Sequence, residues 1–269
     1  MRKAGIGGIG GVIIAAIMLL LGGGDLGSLL QSVDFGSLTA GAEQAEQREF
    51  TPEEQQLAKF SSQILAGTED VWTEVFKKMG KTYTPPKMVL YTGSVRTACG
   101  NGSASMGPFY CSADQSLYID LSFFSSMKRQ LGADGDFAYA YVIAHEVGHH
   151  VENLLGILGQ AHRQMANAGK AEANRISVRL ELLADFYAGV WGYYDNKMFS
   201  SLEDGDLEEA IRCAEVIGDN YLQEKAQGYS QPETFTHGTS AQRMKWLKLG
   251  LTTGDMSKGN TFQLSDSQL

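Results

Sequence analysis

Hydrophobic and polar positions along the chain divide it into an apolar start, a polar spacer, a mixed body and a polar end. Residues 5–24 (GIGGIGGVIIAAIMLLLGGG) carry no charge and approach the roughly 20 apolar residues that a helix needs to cross a bilayer. Glycine is better tolerated in membrane helices than in soluble ones, so residues 1–24 read as an N-terminal transmembrane anchor. A cleavable signal peptide is the rival reading, because the densest apolar part, residues 12–21, has h-region length. A buried glycine-rich core helix is the third. Arg2 and Lys3 precede the run and the next basic residue is Arg48, so the positive-inside bias places the body outside the cytoplasm for anchor and signal alike. The expected product is a single-pass membrane protein of the cell envelope, or a secreted one if the N-terminus is cleaved.

Residues 25–50 are rich in Gly, Ser, Gln and Glu without periodicity, the mark of a solvated linker. Thr51-Pro52-Glu53-Glu54 then gives a capping box with Pro in the first turn. It opens a helix to residue 65, and a second helical stretch covers residues 69–79. From residue 87 to 124 the chain is rich in Val, Tyr, Thr and Phe with glycine punctuation, which predicts strands and loops. Helical patterns follow at residues 136–155, 170–194, 206–227 and 240–251. Residues 252–269 are polar and read as a loose tail. Strands before helices, with little alternation, predict an α+β domain over residues 51–251, mainly helical with a small antiparallel sheet.

Composition narrows the class. A chain of 269 residues that is 43% hydrophobic can bury a real core. Its net charge of -9 and the lack of any dense Lys/Arg cluster argue against nucleic acid as a partner. Three cysteines are too few for a disulfide-built scaffold. Cys99 and Cys111 flank a short loop and form a disulfide in an oxidising compartment, or else stand as two free thiols. Cys213 lies in a helical stretch and reads as a small buried residue.

The chemistry lies in His145-Glu146-Val147-Gly148-His149, an H-E-x-x-H motif inside a helical pattern. Residues i and i+4 share one helical face, so both imidazoles reach a single metal ion, while Glu146 is turned aside as a candidate general base. Zinc takes a third protein ligand and keeps a fourth position open. The next long helix offers Glu181 and Asp185, again i and i+4, in the otherwise apolar run LELLADFYAGVW. Carboxylates on a buried helix face are costly unless paired or metal-bound. Glu181 is therefore assigned as ligand and Asp185 as the acceptor of a ligand histidine's second N–H, that of His145. The exchanged roles remain open. His150 is turned about 100° from His149 and reads as a neighbour of the site or a surface residue, not a ligand. His162 reads as exposed, and Asp134 and Asp136 as caps of the His-bearing helix.

HEVGHHV, ELLADFYAGVW and FTHGTSAQR, preceded by ACG, GPFYC and YIDLSFF, resemble the neutral zinc metallopeptidase family over about residues 59–249. The downstream Glu-x-x-x-Asp also resembles the wider gluzincin group. That resemblance implies a zincin-like domain, one Zn2+ per chain and Glu181 as third ligand. Leu183, Phe186 and Glu152 depart from the pattern, and none of them is expected to touch the metal.

The implied reaction is hydrolysis of a peptide or protein substrate with Glu146 as base. His237, just before a helix that Thr239 and Gln242 can cap, is a candidate donor to the developing oxyanion; the plainer reading is a loop histidine satisfied by backbone. Arg243 either orients His237 or binds a carboxylate of substrate or protein, with a structural role as the alternative. Residues 117–124 form either the strand beside the cleft, pairing with extended substrate, or an ordinary core strand. Two other functions stay in view: a zinc-stabilised envelope scaffold without turnover, which intact Glu146 argues against, and a zinc hydrolase of another amide bond.

Overall fold

A computed structural model describes residues 49–269. The expected anchor and nearly all of the linker lie outside these residues. Among the described residues, no helix is long and apolar enough to cross a membrane. Helix α1 (Pro52–Lys78) is capped by the Thr51/Glu54 box and carries Lys77 and Lys78 in its last turn, matching the helix dipole at both ends. The two predicted helical stretches are thus one. Gly67 does not break it, because that position faces another helix, where an added Cβ would stand 3.2 Å from Asp195 Oδ1.

Five short strands follow: β1 (Lys87–Tyr91), β2 (Ser94–Thr97), β3 (Gly100–Ser103), β4 (Phe109–Cys111) and β5 (Ser116–Asp120). The expected antiparallel sheet is in fact mixed. β5 pairs parallel with β1 and antiparallel with β4, in the order β1-β5-β4, while β2 and β3 make a separate antiparallel hairpin. Every residue of β5 is buried. With β1 along one side and β4 over Ser116–Tyr118 on the other, β5 offers no continuous edge to an extended substrate. Residues 122–124, predicted as strand, instead begin helix α2 (Ser122–Leu131), where Asp120 Oδ1 accepts from both the backbone N–H and the hydroxyl of Ser122.

Six further helices complete the described chain: α3 (Asp136–Leu154), α4 (Ile157–Asn167), α5 (Lys170–Phe199), α6 (Asp206–Val216), α7 (Asp219–Gln227) and α8 (Ser240–Thr253). The mainly helical α+β class holds, with eight α-helices among the described residues. α3 and the middle of α5, residues 180–192, are buried on nearly every face and form the centre of the molecule. Their closeness depends on small residues. A Cβ on Gly148 would stand 2.9 Å from the Ala184 carbonyl oxygen, and one on Gly189 would meet the Leu247 carbonyl oxygen of α8 at 2.3 Å.

The cap of α3 is neither Asp134 nor Asp136. Gly135 occupies the N-cap with φ 111°, and the N–H of Phe137 donates to Glu209 Oε2 of α6 at 3.3 Å. Asp134 instead accepts from Tyr139 and pairs with Lys128. The single helix expected over residues 206–227 breaks at Gly218, where a Cβ would stand 2.3 Å from Ser240 N. The expected loose tail is docked: Arg179 of α5 donates to the carbonyls of Thr261 and Leu264 and pairs with Asp266, and Thr261 Oγ1 donates back to the Arg179 carbonyl. Cys99 and Cys111 form a disulfide, and Cys213 is buried and free.

Candidate metal centre

The helical rise that puts His145 and His149 on one face of α3 aims both at α5, and Gly148 between them lets α5 approach. Glu181 then meets both rings. His145 Nε2 lies 3.2 Å from Glu181 Oε2, and His149 Nε2 lies 3.6 Å from Glu181 Oε1. All three residues are buried.

The outer nitrogens explain how the rings are held. His145 Nδ1 sits 2.8 Å from Asp185 Oδ1, and His149 Nδ1 sits 2.8 Å from Glu152 Oε2. A carboxylate opposite Nδ1 makes that nitrogen a donor, which leaves each Nε2 aimed at Glu181, where it binds either a proton shared with that carboxylate or a metal ion. A tetrahedral zinc with bonds of roughly 2.0–2.1 Å separates its donors by about 3.3 Å, in line with both distances. His149 Nε2 and Glu181 Oε1 are buried with no hydrogen-bond partner among the described residues. The donor set therefore fits zinc.

Glu146, Glu152, Glu181 and Asp185 are buried together with His145, His149 and Arg243, and their negative charge draws protons onto the imidazoles. Burial alone would depress the His145 imidazole, but the charge and hydrogen bond of Asp185 and the hydrogen bond of Glu181 push it up to about 10. Burial likewise raises Glu181, yet the charges of His237, His149 and His145 outweigh it and bring the carboxyl to about 2. Glu146 is raised above the usual carboxylate range by burial, with the two histidines opposing. Its Oε2 has no partner among the described residues.

Around this core, Asp185 is the hub. It accepts from Tyr141 at 2.6 Å and from Arg243 Nε and Nη2, each at 2.8 Å, as well as from His145. The carboxylate that Arg243 binds is thus the protein's own, and Arg243 does not orient His237. That task falls to Asp219, at the first position of α7. Asp219 Oδ2 accepts the backbone N–H groups of Thr236, His237 and Gly238 at 2.7–3.0 Å, and Oδ1 lies 3.2 Å from His237 Nδ1. His237 is buried, its Nε2 has no partner among the described residues, and its charge reaches Glu181. The Thr239/Gln242 capping box is present.

His150 is no surface residue. It is fully buried, donates from Nε2 to the Thr84 carbonyl at 2.7 Å and accepts from Tyr110 Oη at 2.9 Å, which ties α3 to β4. His162 is half-buried and not simply exposed, with Nε2 sequestered and within reach of the His149 charge. Glu152 and Asp219 went unrecognised in the sequence. The i, i+3 spacing from His149 could have revealed Glu152. Nothing local marks Asp219, whose partners lie at residues 236–238.

Two facing helices thus bring a His-x-x-x-His pair and a glutamate around one buried point, a donor set that could hold a metal ion. The chain belongs to the family described as "Putative neutral zinc metallopeptidase", whose model matches residues 1–262. Among its relatives is the uncharacterized protein YpfJ of Escherichia coli K12, 51% identical over 258 residues, covering 95% of this chain and 87% of the relative. The uncharacterized protein Rv2575 of Mycobacterium tuberculosis H37Rv is 43% identical over 202 residues, 71% of this chain and 67% of the relative. No solved structure matches the chain.

Proposed function

We propose that the protein is a zinc-dependent peptidase that hydrolyses peptide bonds, with one Zn2+ held by His145, His149 and Glu181 and with Glu146 as general base. The observation that carries this is the convergence of both Nε2 atoms on Glu181 beside a buried, unpartnered Glu146 oxygen. A closed structural zinc site would have a fourth protein ligand and no use for that base.

His145, His149 and Glu181 would hold the zinc, which when bound would supply Lewis acidity, lowering the pKa of water to roughly 7 and polarising the scissile carbonyl. Glu146, held above the usual carboxylate range by burial, takes the proton of the attacking water and returns it to the leaving amine. His237, fixed by Asp219 with Nε2 free, donates to the oxygen on which charge develops. Asp185, anchored by Arg243 and Tyr141, keeps His145 in the metal-binding tautomer.

The substrate is a peptide or protein, and no nucleic acid takes part. The body works on the extracytoplasmic side, tethered through the apolar segment at residues 5–24. The Cys99–Cys111 disulfide supports an oxidising compartment. The test is cleavage of an unstructured protein such as casein, lost on chelation and restored by zinc. Cleavage that survives exhaustive chelation contradicts the proposal.

A further inference from the structure

We propose that Glu152 is a positioning residue for the metal: it locks His149 with Nε2 turned inward and thereby raises the affinity of the site for zinc. This inference rests on the zinc reading above and concerns a side chain to which the sequence pattern assigned no part in the site.

Glu152 lies one turn beyond His149 on α3 and is fully buried. Its Oε2 meets His149 Nδ1 at 2.8 Å, and its Oε1 has no hydrogen-bond partner among the described residues. The two imidazoles are therefore held by carboxylates of different character. Asp185 is bound by Arg243 and Tyr141 as well as by His145, so its charge is compensated by the fold itself. For Glu152 the single ion-pair partner among the described residues is the ring of His149. A buried carboxylate with no lasting counter-charge is costly. A dication on the far nitrogen of that same ring is the charge that offsets it. The hydrogen bond to Nδ1 fixes the ring with Nε2 facing Glu181 Oε1, 3.6 Å away. Without an acceptor at Nδ1, the proton is free to sit on Nε2, where it blocks ligation, and the ring is free to turn.

Asp185 thus serves fold and metal together, whereas Glu152 serves the metal alone. The decisive experiment measures zinc affinity of the full-length chain, purified in detergent, by competition with a chromophoric chelator, alongside thermal melts of the metal-free proteins. E152A is expected to weaken zinc binding by roughly 10–100-fold. E152Q, which keeps the shape and can accept through its amide oxygen, is expected to lose severalfold while the metal-free protein melts no lower than wild type. Should E152A fail to fold, E152Q alone decides. Wild type and E152Q binding zinc equally tightly overturns the inference, as does a metal-free E152Q that melts well below wild type. A wild-type chain that binds no zinc at all instead removes the zinc reading beneath it.

Discussion

Gly148 of α3 lies directly on the backbone of Ala184 of α5, so close that a Cβ would stand 2.9 Å from the Ala184 carbonyl oxygen and 3.0 Å from its Cα. The glycine inside the H-E-x-x-H motif is thus what allows Glu181, three residues from Ala184, to reach both histidines. Gly148→Val is expected to force the helices apart, destabilising the fold by about 1–3 kcal/mol. Zinc affinity should fall further than that loss of stability explains, because the donors separate. Denaturant unfolding paired with metal titration checks this. A variant that unfolds early but binds zinc as wild type does would show that the contact matters for packing alone.

The Arg243–Asp185 pair is fully buried, with Nε to Oδ2 at 2.8 Å. Removing one partner of such a pair leaves an uncompensated charge, at a cost of about 3–5 kcal/mol. Arg243→Met is therefore expected to be among the most destabilising single changes in the chain, although Arg243 meets His145 only at Nδ1, 3.5 Å from Nη2 and on the side away from Glu181. Urea unfolding of the variant reads it. A midpoint within error of wild type is the contrary result.

Asp219 ties the His237 loop to α7 through three backbone N–H groups. Burial raises its carboxyl, but the His237 charge, the His237 side-chain hydrogen bond and the backbone donors together hold it below the usual carboxylate range. A carboxyl lowered on folding adds stability that is full above the unfolded value and fades as pH falls through the folded one. The stability gap between wild type and Asp219→Asn should accordingly be widest near neutral pH and narrow by about pH 3. A gap of equal size at both assigns the loop's order to something other than the carboxylate charge.

The disulfide joins Cys99 to Cys111 across 12 positions and fixes β4 to the turn between β2 and β3. Closing a loop of that length contributes about 3 kcal/mol. The double change Cys99→Ser with Cys111→Ser should lower the melting temperature. Zinc binding should change little, since the donors lie on α3 and α5. Loss of zinc from the reduced protein would show that β4 reaches the site through Tyr110 and His150.

What could be read in the chain follows the range of the forces involved. Helix periodicity is local, and so are the Thr51 and Thr239 capping boxes, so α8 and the span of α3, though not its cap, were legible, and so was the facing of His145, His149, Glu181 and Asp185, each pair four residues apart. Sheet direction was not, because the parallel pairing of β1 with β5 is decided by the chain between them and not by either strand. The break at Gly218 also escaped, since it answers the backbone of Ser240, far off in sequence. The docking of residues 252–269 depends on Arg179, whose partners are more than eighty residues away. Asp219 belongs with these: its role is written in where the loop at residues 236–238 comes to rest.

The central claim is tested most directly by comparing wild type with Glu146→Gln for zinc content and for cleavage of casein. Both proteins are expected to hold about one zinc per chain, with cleavage by the variant reduced by at least about a hundredfold, since the base is lost and the ligands are kept. A folded wild-type protein that holds no zinc, or a variant that cleaves as fast as wild type, would contradict the account.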